Sequence, residues 1–286
     1  MLTILEVLER TTTFFEGKGM ENPRLNAELI LAHGLGLPQR MDLYMQFNRP
    51  LEDRALEQIR PLVKRRAGGE PVQYIEGKAS FIGVDFKVDA RVLIPRPETE
   101  ELIEHIAEKF ESSAPQSILD LGTGSGVIAL SLCRLFPQAR ITASDSSMDA
   151  LSVACDNAAA QGLEERVDFL ESDWLTAIRG TFDLIVSNPP YLSESELALS
   201  ATEVREHEPR CALASTGENG EDCLLSILRG SISYLNRGGV LAMETGIHQR
   251  DILMEEAGKL GYDSCQQHAD HSGRDRFFFA ECSACS

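Results

Sequence analysis

Ser117-Ile118-Leu119-Asp120-Leu121-Gly122-Thr123-Gly124-Ser125-Gly126 is the stretch on which the fold of this 286-residue chain turns. The first five residues read as a short buried strand, the glycines that follow as a tight turn, and Val127 to Phe136 as a helix packed on its apolar side. Strand, glycine turn and helix in that order open a nucleotide site. Glycines there permit positive φ and close backbone approach, and the helix start adds unpaired N–H groups with a favourable dipole. The spacing is not the GxGxxG of a dinucleotide pyrophosphate site, and no Lys-Ser/Thr follows as in a P-loop. A ligand without phosphates suits Gly122, Thr123, Gly124, Ser125 and Gly126 better.

Three further strands run into polar residues. Arg140 to Ser144 ends at Asp145, where an acidic side chain meets ribose hydroxyls in folds of this kind. Val167 to Leu170 leads to Ser172-Asp173-Trp174; Asp173 is placed to accept from an adenine amino group, and Trp174, the sole tryptophan, to cover the ring. Each also has a plain reading, Asp145 as a helix N-cap and Trp174 as core. The fourth strand, Phe182 to Val186, ends at Asn188-Pro189-Pro190-Tyr191. Two prolines stiffen this turn and remove N–H donors, so the Asn188 amide carbonyl and the Pro189 main-chain carbonyl are held as acceptors. Together they suit a planar NH2 group, one hydrogen to each, with its nitrogen aimed at an electrophile. A Pro-Pro turn closing a strand is also ordinary structure, so the tetrapeptide decides nothing by itself.

Taken together, DLGTGSG, Asp145, Asp173-Trp174 and NPPY resemble a class I S-adenosylmethionine-dependent methyltransferase acting on a planar nitrogen. NPPY is shared by DNA adenine and cytosine amino-methyltransferases and by protein glutamine N5-methyltransferases. The flanking segments resemble the release-factor glutamine methyltransferase family: Gly69-Glu70-Pro71 with Tyr74, Phe81-x-Gly83 with Phe86, Leu93 to Glu100 (LIPRPETE), Glu208-Pro209-x-x-Ala212-Leu213, Asn219-Gly220, Glu244-x-Gly246-x-x-Gln249 and Asp270-x-x-Gly273-x-Asp275-Arg276. The resemblance covers nearly the whole chain; Leu213 to Thr216 and the tail from Ala280 to Ser286 depart from it.

The resemblance implies a Rossmann-like α/β fold with a seven-stranded sheet, a small N-terminal helical bundle and a β-hairpin linker. It implies S-adenosylmethionine as cofactor, S-adenosylhomocysteine as product, and, as substrate, the glutamine of the GGQ tripeptide in bacterial class I peptide-chain release factors. Ribosomal-protein glutamine methylation, DNA adenine N6-methylation and cofactor binding without turnover are the alternatives. The residues expected to do the chemistry are Asn188, Pro189 and Tyr191, with Pro190 completing the substrate surface and Tyr191 packing on the substrate amide; Asn188 also borders the cofactor. No general base is needed, because a methylated amide nitrogen is acidic and releases its proton to solvent. Arg96, Glu98, Glu244 and Gln249 receive no assigned role.

Composition narrows the partners. The net charge is −18, and it is uneven: residues 1–76 carry 10 Lys+Arg against 11 Asp+Glu, the remainder 17 against 34. So acidic a catalytic part argues against a polyanionic substrate, and no basic stripe marks nucleic-acid binding. No basic leader or membrane-length apolar run is present, which together with seven irregularly spaced cysteines suggests a cytoplasmic protein with reduced thiols. Cys282-x-x-Cys285, near His268 and His271, imitates a zinc pair, but no metal is expected.

The chain divides by pattern into a helical substrate-binding domain over residues 1–70, a hairpin linker over 71–95 and a methyltransferase domain over 96–286. In the first, Asn22-Pro23 reads as an N-cap and N1 pair, Gly34 as a stop, and Pro61 as a break or kink in the helix from Asp53 to Arg66. From Pro71 to Val92 the pattern alternates as in strands. Arg276 to Ala280 supplies a last strand, antiparallel by resemblance.

Overall fold

A computed structural model describes residues 1–282, and Cys285, with the rest of the Cys282/Cys285 pair's surroundings beyond Cys282, lies outside them. The chain forms two compact units, one of residues 1–78 and 201–207, the other of 79–200 and 208–286. The division falls at Lys78 rather than near residue 70, and a distant segment returns to the first unit.

In the first unit the helices Ile4–Glu16, Pro23–Gly34 and Asp53–Ala67 surround a core of Ile4, Leu8, Phe15, Leu31, Leu43 and Ile59. Thr3 and Glu6 close a reciprocal capping box on the first helix. Pro23 takes the first helical position, but Asn22 sits at φ 49° and its side chain caps nothing. The helix does stop at Gly34, and Gly36, with φ of 65°, is the left-handed residue that follows the C-cap Leu35. Gly34 also allows close packing, since a Cβ there would lie 2.8 Å from Ile59 Cγ1. Pro61 does not divide its helix, which continues to Ala67. That position is exposed, so water can serve the carbonyl deprived of its usual N–H. Arg66, buried, binds Asn26 Oδ1 and Glu203, the latter on the returning helix Thr202–His207.

The second unit opens with a two-stranded hairpin, β1 (Lys78–Phe81) and β2 (Val84–Lys87). The strand-like stretch expected from Pro71 begins later, because Val72–Glu76 is a short helix with Tyr74 and Ile75 on its buried side. Nor is the hairpin a free linker. Phe81 and Phe86 meet edge to face at 6.1 Å and belong to the same core as Leu102, Ile118 and Val186.

The remaining strands, β3 (Ser117–Leu121), β4 (Arg140–Asp145), β5 (Val167–Glu171), β6 (Phe182–Ser187), β7 (Leu235–Glu244), β8 (Ser264–Ala269) and β9 (Asp275–Cys282), form one sheet. Its order is β5-β4-β3-β6-β7-β9-β8, parallel except for β9, which runs antiparallel to both neighbours. The central strands are apolar on both faces because helices cover both. Ile118, Leu184 and Val186 point into one core, and Leu119, Leu121 and Ile185 into the other. Register sets the site: Leu121 lies opposite both Ser144 and Ser187, so β3, β4 and β6 end level. Strand order reverses between β3 and β6, which opens a crevice at their carboxyl ends.

If the hairpin is core, Phe86→Ala should cost about 3–5 kcal/mol of unfolding free energy by urea titration, against almost nothing for an aromatic on a free linker.

Candidate functional site

A cavity at this crevice is lined by the loops that follow β3, β4, β5 and β6, together with residues from 91–99 and 209–212. Of the residues singled out in the sequence, Gly122, Thr123, Gly124, Ser125, Asp145, Asp173, Trp174, Asn188, Pro189 and Pro190 line it. Gly126 and Tyr191 do not.

The glycine loop is pinned from below. Gly122 and Thr123 both donate their N–H to Ser144 O, at 2.8 and 2.9 Å, and Gly122, Gly124 and Gly126 all have positive φ. Gly126 begins the helix Val127–Leu135, and its missing Cβ would lie 3.2 Å from Ala154 Cβ, so its role is close helix packing. Beneath the loop, fully buried Asp120 accepts from Thr123 Oγ1 (2.7 Å) and Ala129 N (3.1 Å) through Oδ2, while Oδ1 has no partner. Burial pushes this carboxyl up to about 7; those two bonds oppose the rise and the charge of Asp145 adds to it.

Asp145 faces the cavity with both oxygens partly used: Oδ2 accepts from Gly124 N (2.9 Å) and Oδ1 from Ser147 N (2.9 Å). A carboxylate has about four acceptor positions, so each oxygen can take a further donor such as a ribose hydroxyl. The helix after it is capped by Ser147, whose Oγ accepts from Ala150 N, and not by Asp145. Trp174 lies over Gly122, with ring atoms 3.6 Å from where a Cβ would stand. Its φ of 45° is rare for a bulky residue; Ser172 Oγ, donating to Trp174 O at 2.7 Å, holds it there. Asp173 beside it is exposed. Two arginines reach the cavity, and each is already paired, Arg91 with Asp89 and Arg96 with Glu208. That donor and acceptor set fits a nucleoside with hydroxyl and amino groups better than one with phosphates.

Opposite, Asn188 donates from Nδ2 to Thr99 Oγ1 (3.0 Å), and Thr99 donates to Glu244 Oε2 (2.6 Å). The Tyr191 hydroxyl donates to Glu244 Oε1 (3.0 Å). Burial raises the Tyr191 hydroxyl far above its ordinary range, reinforced by the Glu244 charge. Gln249, without an assigned role in the sequence, fastens this loop by donating to Tyr191 O (3.0 Å) and Asn219 O (2.5 Å). Gly220 passes so close that a Cβ would stand 2.3 Å from Tyr191 O. Glu208 ties the opposite wall, accepting from Ile94 N (3.1 Å) and Arg96 Nη2 (2.5 Å). Thr99 had no individual signal in the sequence, because a threonine in the first helical turn after Pro97 looks like any helix start.

Among the described residues, no group of three or more His, Cys, Asp or Glu side chains is placed to hold a metal, and no helix is long and apolar enough to cross a membrane. Cys282 is buried in β9.

Residues 6–77 match the PrmC N-terminal domain family and 97–220 the methyltransferase small domain family. The chain is 48% identical over 252 residues to the release factor glutamine methyltransferase of Chlorobaculum tepidum, covering 85% of each chain. To the protein of the same name from Rhodopirellula baltica it is 40% identical, over 96% of this chain and 94% of that one. A methyltransferase structure from Pyrococcus furiosus shares the fold at 19% identity and a TM-score of 0.54, covering 81% of this chain and 100% of its own.

Because Asp120 favours its proton in the folded state and not when unfolded, its ionisation should erode stability as pH rises from about 4 to about 7 and change nothing further above. Asp120→Asn mimics the protonated form. Its unfolding free energy relative to the wild type should therefore climb across that window and then level off, as followed by urea titration at several pH values.

Proposed function

The chain belongs to the release factor glutamine methyltransferase family, S-adenosylmethionine-dependent enzymes, and on that premise we propose that it methylates the side-chain nitrogen of the GGQ glutamine in class I release factors. The observation that carries the reading is that one cavity brings Asn188 and Pro189 together with the glycine loop, Asp145, Asp173 and Trp174. A nucleoside seat and a seat for a planar NH2 thus share a wall.

S-adenosylmethionine, when bound, supplies an electrophilic methyl on a sulfonium. Asp145 would hold the ribose hydroxyls, Asp173 the adenine amino group, and Trp174 the ring face. The glycine loop admits the methionyl end by exposing backbone. Asn188 Oδ1 and Pro189 O accept the two hydrogens of the glutamine NH2 and hold its nitrogen in line with the methyl. The sulfonium would supply its methyl carbon to the nitrogen lone pair, the carbon–sulfur electrons remaining on sulfur. Positive charge growing on nitrogen strengthens both hydrogen bonds, so the same acceptors stabilise the transition state more than the ground state. The proton then leaves to solvent. The first unit is the proposed grip on another part of the factor, since a lone glutamine offers little to recognise. The setting is the cytoplasm.

Asn188→Ala should lower kcat for methylation of an unmethylated release factor by about 100- to 1000-fold with little change in S-adenosylmethionine affinity. Methyl label mapped by peptide mass spectrometry should fall on the GGQ glutamine. Label on a ribosomal protein alone would replace the substrate and keep the chemistry; wild-type turnover by the alanine variant would remove the role of Asn188.

A further inference from the structure

We infer that Glu244 is a positioning residue which, acting through Thr99, decides which end of the Asn188 amide faces the cavity, and that Tyr191 belongs to this relay and not to the substrate surface. The inference deepens the proposed function and rests on it.

An asparagine amide has nearly the same shape at both ends, yet one end only accepts hydrogen bonds and the other only donates. A stiff NPPY turn places the amide without choosing its face. A carboxylate makes the choice here because it can only accept. Glu244, the last residue of β7 and 1% exposed, has both oxygens occupied, Oε2 by the Thr99 hydroxyl at 2.6 Å and Oε1 by the Tyr191 hydroxyl at 3.0 Å. With its only proton committed to Glu244, Thr99 Oγ1 can act toward Asn188 solely as an acceptor. It therefore draws Nδ2, at 3.0 Å, and Oδ1 is left without a partner among the described residues. Turned the other way, the amide would present NH2 to the substrate NH2, donor against donor.

The relay needs the ionised carboxylate. A protonated Glu244 can donate to Thr99, which frees the threonine proton for Asn188 Oδ1 and removes the preference. Burial raises the Glu244 carboxyl above its ordinary range; bonds from Thr99 and Tyr191 and the charge of Arg276 oppose this, and Glu98 adds to it. These four groups face it from three elements: Thr99 and Glu98 from the helix Pro97–Lys109, Tyr191 from the loop after β6, and Arg276 from β9. Arg276 itself lies 5.8 Å from the centre of the Tyr191 ring, with Asp270 3.7 Å from its Nε. Proton uptake by Glu244 at low pH should therefore remove activity before the protein unfolds.

The test is steady-state methylation of a purified release factor between about pH 5 and 9 by the wild type, Thr99→Val, Thr99→Ser and Glu244→Gln, with thermal melting of each. Thr99→Val should lower kcat by about 10- to 100-fold while KM and S-adenosylmethionine affinity hold, since it removes one orienting bond felt most in the transition state. Thr99→Ser, which restores the hydroxyl, should recover most of that loss. The acid limb of the wild-type kcat profile should vanish in Glu244→Gln. Wild-type kcat in Thr99→Val, equal impairment in Thr99→Ser, or an unchanged acid limb in Glu244→Gln would each overturn the relay. The Asn188 side-chain amide resonances of the wild type, assigned by their loss in Asn188→Ala, report without turnover: they should shift as Glu244 titrates, and indifference to pH would count against the inference even if a variant failed to fold. Should the wild type methylate no release factor, the proposed substrate fails while these resonances still judge the relay.

Discussion

The level ending of three parallel strands governs everything that happens at the site. With Leu121 opposite both Ser144 and Ser187, the glycine loop, Asp145 and Asn188 emerge at one edge of the sheet within a residue of each other. Parallel pairing makes this register rigid, because both faces of β3 and β6 are buried and a one-residue slip would exchange the two cores. The irregularity in β6 pairing lies between Phe182 and Leu184, at the far end from Asn188. Reversal of strand order beside β3 then parts the loops and leaves room for a ligand.

Two buried carboxylates stand under this edge and are treated differently. Asp120 uses one oxygen to hold the glycine loop and leaves the other bare, so the folded protein prefers it protonated. Glu244 has a donor on each oxygen and a guanidinium nearby, which reduces the penalty of keeping it charged. The first is a strut for a loop. The second sets the direction of hydrogen bonds that end at Asn188.

The walls come from segments far apart in the chain, and side-chain to backbone bonds tie them together. Glu208 reaches Ile94 N, Gln249 reaches Tyr191 O and Asn219 O, and Gly220 makes room where the latter two segments pass. Several of these residues look unremarkable alone. Their value lies in satisfying backbone groups of a loop that prolines have already deprived of donors.

Much of this was legible in the amino-acid order, where the signal is local. Strand β3, the glycine turn and the helix after it follow from a few adjacent residues, and β4, β5 and β6 were found within one residue of their ends. The cavity-lining set of Gly122 to Ser125, Asp145, Asp173, Trp174 and Asn188 to Pro190 follows from strand ends and side-chain chemistry. What local patterns misjudged were a split of the helix at Pro61, the helix Val72–Glu76 and the independence of the hairpin. Tyr191 shows what a local pattern leaves out: its place three residues after Asn188 suggests the substrate surface, and only the folded chain reveals that the buried carboxylate at the end of β7 takes its hydroxyl. The sequence by itself determined the fold class, the glycine turn and the polar residues at the strand ends that line one cavity, because these arise from neighbours along the chain. Only the tertiary structure joined Thr99, Tyr191 and Glu244 to Asn188, because hydrogen bonds across 53 to 145 residues of separation exist only once the sheet has closed.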